Sequence, residues 1–174
     1  YEVFRPSLRE AASERAALEA LLTGAEERGE LRLHYQPIVD LADGTIVGVE
    51  ALVRWQAPGR GLLMPGEFVG LAEESGTIVA MGRWVLERAC RDTQGWRTRF
   101  DLDGLTVGVN LSARQFQHPD LVAEVGAALA ASGLESSRLI LEITESVLMQ
   151  TTTSTIGKLA DLRRIGVRLA IDDF

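Results

Sequence analysis

Glu50, Asn110, Glu142 and Asp172 lie in four separate apolar runs, and all four fall in one phase of a two-residue alternation. In IVGVEALVRW, Val47, Val49, Ala51, Val53 and Trp55 form one row, and Gly48, Glu50, Leu52 and Arg54 form the other. LTVGVNLS sets Leu105, Val107, Val109 and Leu111 against Thr106, Gly108, Asn110 and Ser112. RLILEIT sets Leu139, Leu141 and Ile143 against Ile140, Glu142 and Thr144, and RLAIDD sets Leu169 and Ile171 against Arg168, Ala170 and Asp172. If the apolar rows cover a helix layer, three carboxylates and one amide share the opposite face, each towards the C-terminal end of its strand. Crowded carboxylates repel unless a cation joins them or some take up protons. Oxygen-only donors select a hard ion, so Mg²⁺ or Mn²⁺ is expected ahead of Zn²⁺. Asp173 points away from Asp172, where a second ion is within its reach. Arg54, two pleats beyond Glu50 on the same face, is placed to meet a phosphate oxygen with its guanidinium fork.

A single polar residue at a strand end is more often a cap or a loop starter, and Asp173 taken alone is as readily a loop stabiliser as a ligand. Four in one phase on four strands are harder to dismiss. His34 and His118 are the only histidines, and nothing places them beside each other or beside Cys90, which disfavours a zinc site or a His-centred triad. Ser112 has no evident base, so serine nucleophilic chemistry has little support.

The elements that must carry these residues alternate along the chain. Ser7 to Gly29 has apolar residues at near-helical spacing and reads as a surface or connecting helix stopped by Gly29. LRLHYQPIVDL and TIVGVEALVRW are strand candidates separated only by ADG, a link so short that they must run antiparallel. Pro37 cannot donate to a ladder and favours an edge or a bulge. QAPGRGLLMPGEF reads as a loop, FVGLAEES and VAMGRWVLERACRDTQGW as helices. Thereafter strand-like LTVGVNLS, RLILEITES and VRLAIDDF alternate with helical PDLVAEVGAALAASG and TSTIGKLADLRRIG, the pattern of parallel strands joined by right-handed crossovers. In such folds the C-terminal ends of the strands form the rim where chemistry concentrates.

Bulk properties narrow the partners. A chain of 174 residues with 46% hydrophobic content supports one core, and a formal net charge of −7 disfavours a nucleic-acid polymer, leaving a small nucleotide held at a local site. One cysteine excludes an internal disulfide framework and fits a reducing, cytoplasmic setting. No apolar run approaches the roughly 18 residues of a membrane span. The chain opens on Tyr1 and is expected to be a piece of something longer.

YQPIVDL, VGVEALVRW, AEESG, VNLSARQF, LEITES and GVRLAIDDF, in that order, resemble the EAL family of cyclic di-GMP phosphodiesterases. The resemblance implies an α/β fold, a modified TIM-like (β/α)8 barrel whose first strand is antiparallel, here truncated to about five strands. It implies that Glu50, Asn110, Glu142 and Asp172 ligate one metal ion and that Asp173 contributes to a second, with Mg²⁺ or Mn²⁺ as the ions. Glu50, Asp172 and Asp173 would thereby be catalytic, Arg54 would contact a substrate phosphate, Gln36 would lie near a guanine, and Glu145 would steady the loop after DDF. The implied reaction is hydrolysis of one phosphodiester bond of cyclic di-GMP to linear pGpG, in bacterial signal transduction. The opening 29 residues resemble a connector helix from an upstream GGDEF-type or sensory domain, with 30–174 as the N-terminal portion of the EAL domain. Homodimers are expected, and the parent could be membrane-anchored through upstream segments. The chain stops within DDF, before the family's Gly-rich loop, its following lysine, its later glutamate and its late glutamine. The natural polypeptide is therefore expected to continue past Phe174, unless the chain is a trimmed piece. The alternatives are an inactive cyclic di-GMP receptor and a dimerisation module.

Overall fold

A computed structural model of the chain describes residues 6–144 and 153–172. At one end of the described sheet β1 (Leu31–Val39) and β2 (Ile46–Ala57) form the expected antiparallel hairpin. β3 (Gly61–Leu63) folds back antiparallel on the far end of β2. β4 (Thr106–Leu111), β5 (Leu139–Thr144) and β6 (Arg168–Asp172) add in parallel, in the order β1-β2-β4-β5-β6. The five strands read from the sequence are thus present, with β3 as an addition. Three residues between turns are too few to show a period, and Gly59 and Gly61, both at positive φ, hide the strand inside a stretch that reads as loop.

The hairpin turn is built by its acids. The Asp43 carboxylate accepts from the Thr45 N–H at 2.9 Å, which holds it below the ordinary aspartate range, and the Asp40 N–H donates to the Thr45 carbonyl at 2.8 Å. Pro37 lies on β1, at one end of the described sheet, and the register shifts between Ile38 and Val39, so both expectations for the proline are met.

The connections are α1 (Pro6–Leu22), α2 (Pro65–Ser75), α3 (Ile78–Phe100), α4 (Ala113–Gln117), α5 (Leu121–Ser132) and α6 (Thr153–Ile165). The alternation holds on β4 and β5 but not throughout: Val47 on β2 and Ile171 on β6, both on the apolar rows, are 40% and 45% exposed, and Arg54 on the opposite row is buried. Val107, Leu139 and Leu141 are fully buried in the core together with residues of α3 and α5, whereas Glu50 and Glu142 on the opposite rows are only half-buried. Burying the apolar row is worth about 1.5–3 kcal/mol per large side chain, which fixes strand phase because a one-residue slip would turn every such side chain outward.

Two expectations are corrected. α1 ends at Leu22 and not at Gly29, because Gly24 takes φ +74° directly after it, and Arg28 turns back to donate to the carbonyls of Leu21 and Thr23. Its last turn is not a surface feature either: Leu22 and the following Ala25 are each 1% exposed. Among the described residues no helix is long and apolar enough to cross a membrane.

Candidate active site

Cross-strand register decides which inner-face residues meet. Gln36 stands opposite Glu50 in the antiparallel pair, and Glu50 stands level with Gly108 in the parallel one. Asn110 is level with Glu142, and Thr144 with Asp172. The acidic positions thus climb the sheet diagonally, as tilted strands require if the groups are to meet at one height.

Glu50 does not sit at the end of its strand. It is the fifth residue of a strand that continues to Ala57, which corrects the sequence expectation. The ladder explains why it still belongs to the rim. β2 pairs with β4 only over Gly48–Ala51, so Glu50 is the next-to-last residue of the parallel part, and beyond Ala51 β2 continues with β1 and β3 alone.

Side chains then close the distance. The Asn110 amide Nδ2 donates to Glu50 Oε1 at 2.7 Å, tying β4 to β2 across the site. Glu142 lies two strands from Glu50, close to 10 Å at ordinary strand spacing. It leans over the intervening β4 at Gly108, where an added Cβ would come within 2.3 Å of Glu142 Oε1. A glycine is therefore what lets the two carboxylates approach each other. The sequence signal was present, since Gly108 is on the polar row of LTVGVNLS, but only the register gives it a partner.

Arg54 is 8% exposed. Its Nη1 donates to the Val53 carbonyl at 2.9 Å, and its Nε is buried without a partner. An unsatisfied buried donor on a guanidinium is costly unless an anion occupies it, which fits the expected phosphate role. Gln36 is exposed beside Glu50. Asp172 is the last residue of β6, level with Thr144, while Asp173 and Glu145 lie outside the described residues. A cavity of about 480 Å³ lies mostly against α2 and α3, lined by residues such as Val69, Met81 and Val85, and reaches the strand ends at Asn110 and Thr144; Glu50, Glu142 and Arg54 do not line it.

Among the described residues no group of three or more His, Cys, Asp or Glu side chains is arranged to hold a metal. The described part of the expected set is two carboxylates and an amide. Their chemistry still fits a hard divalent ion, being oxygen donors gathered over a glycine with no competing lysine or arginine bonded to Glu50 or Asn110 among the described contacts. His34 and His118 are on β1 and after α4, and Cys90 is buried in α3, its thiol pushed up to about 12 by desolvation, so none of them joins the site. Ser112 caps α4: its Oγ accepts from the Gln115 N–H at 3.2 Å, and the Gln115 side chain accepts from the Ser112 N–H at 3.2 Å. The helix was missed from the sequence, although S-x-x-Q is a legible capping signature.

A parallel sheet with a helix-covered outer face, an antiparallel first strand and acids on the opposite face describes a class, the barrel-type α/β domains that gather polar side chains at the strand ends. The EAL domain model matches residues 15–174, and the chain belongs to the EAL family. It is 45% identical over 178 residues to the bifunctional diguanylate cyclase/cyclic di-GMP phosphodiesterase MucR of Pseudomonas aeruginosa, covering 100% of this chain and 25% of that protein. It is 45% identical over 163 residues to the cyclic di-GMP phosphodiesterase NbdA of the same organism, covering 94% and 21%. Among solved structures, the PaMucR phosphodiesterase in complex with c-di-GMP superposes with a TM-score of 0.85 at 46% identity, over 91% of this chain and 64% of that one. The EAL enzyme Bd1971, bound to cAMP and cyclic di-GMP, gives 0.86 at 32% identity over 94% and 45%. The fold is thus the EAL modified barrel, of which this chain forms the first strands. The chain spans about a quarter of the length of these curated relatives.

Proposed function

We propose that the protein carrying this chain hydrolyses one phosphodiester bond of cyclic di-GMP to give linear pGpG, with Mg²⁺ or Mn²⁺ and two ions in the complete site. The observation that carries this reading is the Asn110–Glu50 hydrogen bond at 2.7 Å together with Glu142 seated over Gly108. Similarity to two cyclic di-GMP phosphodiesterases supports it. Glu50, Asn110, Glu142 and Asp172 would hold the first ion and Asp173 the second, and the ions, when bound, would supply Lewis-acid activation of water and stabilisation of negative charge.

The remaining work falls to the chain. Asn110 fixes the rotamer of Glu50, so that one carboxylate oxygen is already oriented before substrate arrives. The Arg54 guanidinium, on the same strand face as Glu50, would meet a phosphate oxygen and stabilise negative charge as it develops there. Gln36, level with Glu50, meets a guanine edge, and Glu145 steadies the loop beyond DDF. Residues 1–29 join this unit to an upstream GGDEF-type or sensory domain. A second copy is the proposed partner, and the single cysteine fits a reducing, cytoplasmic setting.

Purified full-length protein supplied with Mg²⁺ or Mn²⁺ should release pGpG, and Glu50→Ala should abolish release. Binding of cyclic di-GMP without turnover would mark a receptor, and neither binding nor turnover a scaffold. Intact turnover in Glu50→Ala would remove that residue from the mechanism.

A further inference from the structure

We infer that Gln115 is a positioning residue for Asn110, holding the corner between β4 and α4 from a notch in α3 that only a glycine at position 82 leaves open. The inference rests on the metal-site reading above and adds a residue that touches neither metal nor substrate.

Asn110 is the next-to-last residue of β4, and two residues later Ser112 opens α4. A helix of five residues has no stability of its own, since nucleation alone consumes more order than its hydrogen bonds return. The β4–β5 ladder holds Asn110 level with Glu142 and Leu111 with Ile143, and the place of α4, and with it the turn that closes the end of β4 beside Asn110, is set by what anchors it. Gln115 is the central anchor. Its Oε1 accepts from the Ser112 N–H at 3.2 Å, and the side chain is only 9% exposed. Its amide nitrogen presses on α3 at Gly82, where an added Cβ would lie 1.6 Å from Nε2. No side chain at position 82 coexists with Gln115 in this pose.

Two outer anchors complete the corner. Arg114 donates to the carbonyls of Glu73 and Glu74, the latter at 3.0 Å, where the C-terminus of α2 carries partial negative charge. Lys158 on α6 donates to the carbonyls of Phe116 and His118 at 2.7 and 2.8 Å. These hold α4 at its flank and its end, whereas Gln115 grips the turn itself, closest to Asn110.

The test uses full-length, nucleotide-free protein and reads Mn²⁺ affinity from the electron paramagnetic resonance signal of free Mn²⁺, so that it does not depend on turnover. Gln115→Met keeps the volume and loses the acceptor for Ser112. Its Mn²⁺ dissociation constant should rise about tenfold, while Gln115→Glu, which retains an acceptor oxygen, should stay within about threefold of the parent. Gly82→Ala supplies an independent route, because alanine favours α3 as a helix while expelling the Gln115 amide, so the melting temperature should hold while Mn²⁺ binding weakens. An unchanged dissociation constant in Gln115→Met overturns the inference. If that variant does not fold, an unchanged constant in Gly82→Ala overturns it instead. Failure of the parent to bind Mn²⁺ at all overturns the metal reading, and the inference with it.

Discussion

Replacing Gly108 with alanine should damage the site while sparing the fold. Gly108 is not among the residues at positive φ, so alanine meets no backbone strain there. Removing the extra freedom of glycine from the unfolded chain favours the folded state by about 0.4–1 kcal/mol. The clash is local: the new Cβ would lie 2.3 Å from Glu142 Oε1 and 3.1 Å from its Cδ. Ordinary contact begins at 3.4 Å, so the carboxylate must retreat by about 1 Å, and misplacement of that size costs about 10²-fold in rate. Metal–ligand bonds tolerate only about 0.2 Å, so Mn²⁺ affinity should fall alongside. The assay pairs pGpG release and Mn²⁺ binding with a thermal melt of the full-length variant. A second arm places Gly108→Ala in a Glu142→Ala background, where it should cause no further loss, because the group it displaces is already gone. Unaltered turnover and unaltered Mn²⁺ affinity in Gly108→Ala would refute the reasoning, as would equal losses in both backgrounds.

Leu22→Ala should destabilise the domain by about 2–5 kcal/mol in denaturant titration, because Leu22 is 1% exposed within the core; a loss under about 0.5 kcal/mol would return the end of α1 to the role of a surface connector. Cys90, fully buried, should resist thiol reagents until the protein unfolds, and prompt labelling of native protein would contradict its placement. Its thiol stays neutral in the fold up to about 12, against an ordinary value of 9.0. The unfolded chain therefore gives up the proton first. Stability from this group is complete below the lower value and declines as pH climbs between the two, by at most about 1.4 kcal/mol per pH unit.

The strands were legible because alternation is enforced by burial. Val107, Val109 and Leu111 can only face the helices, so Asn110 can only face away, and the same holds for Glu142 between Leu141 and Ile143. The ADG link made the hairpin antiparallel for lack of room to do otherwise. What alternation does not carry is register. The sequence could say that Glu50 and Glu142 share a face, but not that Glu50 is level with Gly108, nor that β2 leaves β4 after Ala51 and so makes a mid-strand residue into a rim residue. The end of α1 was misread for a related reason. Gly24 and Gly29 are equally good stops by residue type, and the choice falls to Arg28, whose guanidinium finds the carbonyls only once the chain has turned.

Small residues on the inner face carry as much of the site as the polar ones. Gly48 on β2 would bring a Cβ within 2.5 Å of Thr106 Oγ1, and that hydroxyl donates to the Val47 carbonyl at 3.2 Å, cross-linking β2 and β4 below Glu50. Gly108, level with Glu50, does the same service for Glu142. Thr106 and Glu142 each reach sideways over a neighbour lacking a side chain, because strands about 4.8 Å apart otherwise keep their side chains upright. Filling either notch therefore separates two failures that substituting a ligand confounds. The donor atoms all remain, and only their convergence is lost.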